Sequence, residues 1–388
     1  MFRILRVFPR NGSYFLRCEA KQLWTSGRVC AAAAAFVYQK RLDLPLQTHA
    51  KLAGRKWVPG GLNPTNKYPE FIASPKDNFP PVYEAKNSDQ VKSVSEWAKA
   101  AREIVEDKLV DYGVILFRGM PVEGGEGFSQ FLINLGYETM GYEGGLAVRQ
   151  KVAAGVLTAS DDLPEVTIQP HNEMAYSEDY PKKLFFYCHV APEPGRGGET
   201  GLTRVRDIQA KLKPEVKEKF RKLGIKYHCY LPSKEHSQYK SWQETFFSEE
   251  MSDVEQFMKK MNYEYKWCEN NALSYSHVLP AFQKHHKTGE ELWFNHVHRH
   301  HVTNLSEHPK YTDQPDLPPL RFPYHTMYGD GTEIEPEVMQ HIRDVIWQVS
   351  VGFPLLKGDL LIYDNMLVQH SRLGFSGPRK LLAAMTRD

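Results

Sequence analysis

Apolar side chains recur at intervals of three and four through Val91, Val94, Trp97, Ala98, Ala101, Ile104, Val105 and Leu109. That spacing predicts a helix from about Ser88 whose single apolar stripe covers a sheet. Gly113 and Gly119 bracket Val114-Ile115-Leu116-Phe117-Arg118, a short unbroken apolar run that predicts a buried strand. A second helix follows near Gly127 to Leu135, with Phe128, Phe131, Leu132 and Leu135 on one side. Leu184 to Val190 is aromatic and β-branched and predicts another strand. The Gly-rich stretch from Ala191 to Thr200 reads as a tight turn feeding a strand, because no Gly-Lys-Ser/Thr follows to cradle a triphosphate.

From about 207 to 290 the pattern turns helical. Pro214 stands at a first helical position, Val216, Phe220 and Leu223 form a stripe, and Gly224 ends it. Ser252 and Glu255 resemble a capping box ahead of Val254, Phe257, Met258 and Met261. Residues 43 to 85 show no sustained period and read as an irregular lead-in, and the Pro-rich stretch 309 to 323 reads as a loop. Pro336 to Trp347 predicts a helix, and the last 35 or so residues return to strands. The order strand, helical insertion, strand predicts one domain over 43–388, mainly β with α, with flanking helices and a helical insertion at about 207–290. A jelly-roll barrel would bring the strands around 171 and 370 together in its mouth.

Composition narrows the function. The 388 residues are 41% apolar and 25% charged, with a formal net charge of +2, the profile of an ordinary globular protein. No basic block interleaves with aromatics, which argues against nucleic acid as a partner, and no apolar run is long enough for a membrane span. Cys18, Cys30, Cys188, Cys229 and Cys268 show no C-x-x-C spacing and read as reduced thiols. Residues 1–42 differ from the rest: Arg3, Arg6, Arg10, Arg17, Lys21, Arg28, Lys40 and Arg41 face one acid, Glu19. An acid-poor, Arg-rich leader predicts a mitochondrial transit peptide and a mitochondrial location. Against it stand a disordered tail on a cytoplasmic protein, and a secretory signal with Val29 to Tyr38 as its apolar core.

The candidate chemistry centres on His171-Asn172-Glu173. Alternation along a strand would put residues 171 and 173 on one face, and a distant histidine would complete two imidazoles and a carboxylate around a metal with its other face open. His370 is the best candidate for that third ligand. Nine residues on, Arg379 offers a planar fork suited to the far carboxylate of a chelating 2-oxo acid, with Arg372 as its substitute, and Thr200 could add a hydroxyl.

His171-x-Glu173, Gly197-Gly198-Glu199-Thr200, Trp293-Phe294-Asn295, Tyr328-Gly329-Asp330-Gly331 and the run from Asp364-Asn365 through His370 to Arg379 together carry a resemblance. From about residue 110 onward the chain resembles the TauD/TfdA family of Fe(II)- and 2-oxoglutarate-dependent dioxygenases, especially its clavaminate-synthase-like and SyrP-like members. The resemblance implies a double-stranded β-helix, with His171, Glu173 and His370 as iron ligands, Arg379 pairing with the C5 carboxylate of 2-oxoglutarate, and Thr200 contacting the same co-substrate. It implies that O2 and 2-oxoglutarate are consumed and succinate and CO2 released as a small metabolite, such as an amino acid or other small carboxylate, is oxidised. The carboxylate is Glu rather than the commoner Asp, and because Glu173 fills the position that halogenating relatives leave to chloride, hydroxylation or a similar oxidation is expected.

Rival readings remain at this point. His296, His298, His300 and His301 form a second histidine cluster, whose alternation would put 296, 298 and 300 on one strand face as a Zn or Ni site, while Asn295 and His298 are candidates for substrate contact. No G-x-S-x-G elbow supports a nucleophilic hydrolase. A zinc hydrolase on the same ligands stays open, as does a catalytically inactive metal-binding β-barrel serving as a binding or sensing module.

Overall fold

Ser93 starts the first long helix, Val94–Tyr112, because its hydroxyl accepts from the Glu96 amide while the Glu96 carboxylate accepts from the Ser93 amide. That reciprocal box places the start later than Ser88. Gly113 ends the helix at φ +76°, where a Cβ would stand 2.5 Å from Val368. The computed structural model describes residues 34, 35, 37–41, 46 and 72–388, apart from 92, 143, 144, 148, 161 and 307.

Strand β1 (Tyr38–Arg41) pairs with β2 (Val82–Ala85), which runs parallel to β3 (Val114–Arg118). The stretch read as a leader therefore overlaps the fold. Tyr38 is buried, its hydroxyl donates to the Trp97 carbonyl at 3.1 Å, and Arg41 pairs with Glu84. The basic residues of this strand are ones a sheet edge carries as readily as a leader does. The transit-peptide reading of residues 1–33 lies outside the described residues.

Helix Gly124–Leu135 leads to β4 (Lys151–Ala153), β5 (Val156–Thr158), β6 (Ile168–His171), β7 (Lys183–Val190) and β8 (Thr200–Arg204), the last fed by the Gly-rich turn as its sequence predicts. The segment from 207 to 290 is not purely helical. Helices Val205–Lys211, Pro214–Leu223, Trp242–Phe246 and Met251–Lys260 alternate with β9 (Ile225–Leu231), β10 (Glu264–Trp267), β11 (Leu273–Leu279), β12 (Phe282–Lys284) and β13 (Glu291–Trp293). In β9 the buried positions are Ile225, Tyr227, Cys229 and Leu231, a period of two that Lys226, His228 and Tyr230 disguise as polar sequence. Ser252 lies inside the Met251–Lys260 helix and caps nothing, and the box in this region is Ser241 with Glu244. The chain closes with β14 (Tyr324–Tyr328), helix Pro336–Val349, β15 (Val351–Phe353), β16 (Leu360–Asp364), β17 (Val368–Arg372) and β18 (Lys380–Thr386).

An eight-stranded sheet in the order β1-β2-β3-β16-β7-β18-β5-β4 faces a four-stranded sheet β15-β8-β17-β6, the two layers of a double-stranded β-helix. A further sheet, β10-β11-β9-β14, belongs to the insertion and its return strand. The central strands of the large sheet are buried on both faces. Leu360, Ile362, Phe185 and Tyr187 pack under the two N-terminal helices, while Leu361, Tyr363, Leu184 and Phe186 point between the sheets. Double burial explains why these strands read as continuous apolar runs. Arg118 grips Asp359 through two hydrogen bonds of 2.8 and 2.6 Å, tying β3 to the turn before β16. Cys188 and Cys229 are buried free thiols, pushed up to about 12 by burial, as their scattered spacing suggests. Among the described residues no helix is long and apolar enough to cross a membrane.

Candidate functional site

Antiparallel pairing of β6 with β17 sets His171 opposite His370, with ring centroids 4.3 Å apart. The carboxylate arrives differently from the expectation. Strand β6 ends at His171, and Glu173 sits on the following turn, where Met174 has φ +54°. Glu173 is aimed by its backbone rather than by strand alternation. Its amide donates to Asn365 Oδ1 at 2.7 Å, and Asn365 Nδ2 donates to its carbonyl at 2.9 Å and to the Pro181 carbonyl at 2.8 Å.

One ligand atom from each of His171, Glu173 and His370 lies within 4.8 Å of the others, and Glu173 Oε2 is 3.7 Å from His370 Nε2. His171 Nδ1 donates to the Gln169 carbonyl at 2.7 Å, and a carbonyl can only accept, so the lone pair of Nε2 is left for a metal. Burial lowers His171 to about 4 and pushes His370 well below the usual histidine range, so both rings are neutral, the state a metal ligand needs. Phe186 packs against the His370 ring at 4.9 Å and gives the site a dry wall. Two imidazoles and a carboxylate on one side of an open cavity fit a non-haem Fe(II) ion.

The cavity holds about 300 Å³ and is lined by His171, His370, Thr200 and Arg379 together. Thr200, first residue of β8, is buried with a hydroxyl that has no hydrogen-bond partner among the described residues. Arg379 Nε donates to the Gly198 carbonyl at 2.9 Å, and no ion pair engages the guanidinium among the described residues. Gly198 permits that approach, since a Cβ there would lie 2.8 Å from Arg379 Cδ. Burial, then the neighbouring Arg372, lowers Arg379 to about 10, still a cation at neutral pH. Arg372 is not an equivalent choice, because it donates to the carbonyls of Asp162, Leu163 and Val166 at 3.3, 2.7 and 2.8 Å.

A sequence profile described as taurine catabolism dioxygenase TauD, TfdA family matches residues 77–385. The chain belongs to the TauD/TfdA family. It is 33% identical to dapdiamide synthesis protein DdaC of Enterobacter agglomerans over 281 residues, 72% of this chain and 84% of that protein. A clavaminate synthase-like protein of Arabidopsis thaliana is 27% identical over 296 residues, 74% of this chain and 86% of that one. Among solved structures, AAD-2 in complex with Mn(II) and N-oxalylglycine gives a TM-score of 0.46 at 14% identity, covering 81% of this chain and 96% of that one. PvcB from Pseudomonas aeruginosa gives 0.44 at 14% identity, covering 84% and 94%. As a TauD/TfdA enzyme the protein is an Fe(II)- and 2-oxoglutarate-dependent dioxygenase that uses O2 to oxidise a small molecule and releases succinate and CO2. The reading as an inactive metal-binding barrel finds no support.

Two expectations for this TauD/TfdA chain do not fit. Asn295 spends its side chain on the backbone, donating to the Ala281 carbonyl and accepting from the Val297 amide, and it does not line the cavity. His298 is likewise buried away from the cavity and donates to the Pro170 carbonyl at 2.7 Å. His296, His298 and His300 are not on a strand at all but in a turn, and no carboxylate joins them as a ligand set among the described residues. Alternation misleads here because β13 ends at Trp293.

Four residues of the site escape the sequence reading. Arg149 donates to Glu173 Oε2 at 2.7 Å and stacks over the Tyr142 ring, and the Tyr142 hydroxyl donates to Glu173 Oε1 at 3.2 Å. Both come from an irregular stretch with no periodic signal. Arg299 and Asp162 also face the cavity. Arg299 is hidden in sequence by the histidines around it.

Proposed function

We propose that His171, Glu173 and His370 hold the Fe(II) and that Arg379, helped by Thr200, holds the distal carboxylate of 2-oxoglutarate. The carrying observation is that both histidines, the Arg379 guanidinium and the Thr200 hydroxyl, which has no hydrogen-bond partner among the described residues, open onto one cavity. Bound there, iron with 2-oxoglutarate and O2 supplies the oxidising chemistry. The chain's own work is to keep both imidazoles neutral, to hold the Glu173 carboxylate through Arg149 and Tyr142, and to seal the His370 side with Phe186.

The substrate is a small carboxylate, amino acids included. Arg149, Arg299, Arg372, Arg379 and Lys380 line the cavity against one lining acid, Asp162. Glu173 offsets Arg149, and a doubly charged 2-oxoglutarate is matched by the metal and Arg379, so a positive surplus is left for an anionic substrate. Because Glu173 fills the third ligand position, the outcome is hydroxylation or a related oxidation rather than halogenation. The Arg-rich, acid-poor residues before Ala34 support a mitochondrial destination, read by imaging a chain tagged at its C-terminus.

The deciding experiment measures succinate released from 2-oxoglutarate by anaerobically reconstituted Fe(II) protein on exposure to O2, with and without a pool of small acids and their amides. The wild type should turn over, His171→Ala should be silent, and Arg379→Ala should need far more 2-oxoglutarate. Stimulation by amides as strong as by the parent acids would overturn the substrate class, and turnover in His171→Ala would overturn the ligand assignment.

A further inference from the structure

The histidine-rich run after Asn295 is unexplained by the chemistry above, and its geometry gives it a role. Strand β6, which carries His171, is an edge strand with β17 on one side and, among the described residues, no strand on the other. On an edge, carbonyls two residues apart point outward without partners. Pro170 suits such an edge because it has no amide hydrogen to strand. The two carbonyls that flank His171, those of Pro170 and Asn172, are nevertheless satisfied. His298 Nε2 donates to Pro170 O at 2.7 Å, and His296 Nε2 donates to Asn172 O, which also accepts a longer bond from the Ala175 amide at 3.4 Å.

A carbonyl oxygen only accepts, so both rings carry their proton on Nε2. The tautomer of His296 is fixed from behind as well: its Nδ1 must accept, and it lies 3.1 Å from His300 Nε2, which therefore donates. His296 also packs edge-on against the His171 ring at 5.4 Å. The segment is braced in turn, since the His296 amide donates to the Tyr227 hydroxyl at 2.9 Å and Arg343 donates to the His298 carbonyl at 3.1 Å. Two side chains two residues apart thus meet two carbonyls two residues apart, as a neighbouring strand would.

We infer that His296 and His298 are positioning residues of the iron site, a side-chain substitute for the missing strand that fixes the backbone on both sides of His171. This rests on the ligand assignment above. It also takes the Nε2 atoms of His296 and His298 out of play as metal ligands, since both are spent on carbonyls.

The test compares His298→Phe and His296→Phe, which keep a ring and lose the donor, with His298→Gln and His296→Gln, which keep a donor. Each full-length protein is titrated anaerobically with Fe(II), and the visible charge-transfer band of the Fe(II)–2-oxoglutarate complex is recorded, with circular dichroism as the check on folding. The Phe variants should bind Fe(II) about tenfold or more weakly with a shifted band, in the range seen when outer partners of metal ligands are removed, and the Gln variants should recover most of both. A folded Phe variant with wild-type affinity and band would overturn the inference. So would a second equivalent of metal in the wild type that His296→Gln or His298→Gln abolishes. Should a Phe variant fail to fold, the Gln variant decides alone, with near-wild-type affinity supporting the role and a loss beyond tenfold overturning it. His171→Ala and His370→Ala run alongside, and unchanged Fe(II) binding in these would mean that the ligand assignment, not the clamp, has failed.

Discussion

Replacing Asn365 with alanine should cost more than its size suggests. The side chain is fully buried, and its three hydrogen bonds all end on backbone groups: the amide and carbonyl of Glu173 and the carbonyl of Pro181. In Asn365→Ala each of those groups stays buried without its partner, and each carries a penalty of roughly 1–3 kcal/mol. Taking the lower half of that range three times gives about 3–6 kcal/mol, a large part of the roughly 5–15 kcal/mol that holds a typical domain together. Asn134 provides the control, since it too donates one side-chain bond, to the Gln130 carbonyl at 2.8 Å, but on the solvent side of its helix, where water takes over. Asn134→Ala should stay within about 0.5 kcal/mol of wild type. Urea unfolding of the metal-free proteins reads the difference, and Fe(II) titration reads its reach, because freeing the Glu173 turn should weaken metal binding about tenfold or more. A loss under about 1 kcal/mol would refute the accounting. A full stability loss with unchanged Fe(II) affinity would refute the claim that Asn365 aims the carboxylate.

Other outcomes follow from the same site. Arg149→Met strips a partner from a buried pair whose side chains are only 5% and 4% exposed, so metal-free protein should lose about 3–5 kcal/mol, and Fe(II) should restore part of it by supplying the countercharge; equal losses with and without metal in thermal melts would count against this. Arg372→Gln should lower stability by about 2–4 kcal/mol by freeing the Asp162 and Val166 carbonyls and leaving Leu163 O only the Val166 amide, yet change the KM for 2-oxoglutarate far less than Arg379→Gln does; the reverse ranking would exchange their roles. Burial lowers His171 and His277 to about 4 and His298 to about 3, against 6.5 for an exposed ring. The unfolded chain then takes up protons that the folded one refuses, so the melting temperature of metal-free protein should fall as pH drops from about 6.5 toward 4. A flat or rising profile in that window would contradict neutral rings.

Much of this was legible in the chain because its signals are local. The glycine-bounded run Val114–Arg118 predicts the buried strand that forms, and His171, His370 and Arg379 stand in the motifs that carry the family resemblance and meet at one cavity. Where the reading failed, a long-range partner decided. Glu173 takes its aim from Asn365, far away in sequence, and strand alternation could not reveal that. Ser93-x-x-Glu96 forms a capping box while Ser252-x-x-Glu255 does not, because the second helix starts at Met251 and buries Val254 and Met258. Polar side chains on the open face of β9 concealed its alternation, and Arg149 belongs to a loop with no period to read. The Pro170 and Asn172 carbonyls needed donors, but only the folded chain shows that histidines supply them.

The interleaving of the large sheet sets a timetable for the chain as it is made. Strand β16 lies between β3 and β7, and β18 between β7 and β5, so early strands wait for the last ones to fill the gaps between them. The grip of Arg118 on Asp359 closes a loop of 241 residues. On the ribosome, β3 emerges with the edge opposite β2 open and β7 with both edges open, and they stay so until the C-terminal strands follow. Such long-range closure is slow and exposes sticky surface meanwhile. His370 rides on one of those late strands, so the nascent chain carries His171 and Glu173 without their third partner until synthesis is nearly complete. Chaperone cover during that interval should therefore raise the yield of folded chain, and truncation within β16 to β18 should yield aggregates rather than a smaller folded enzyme.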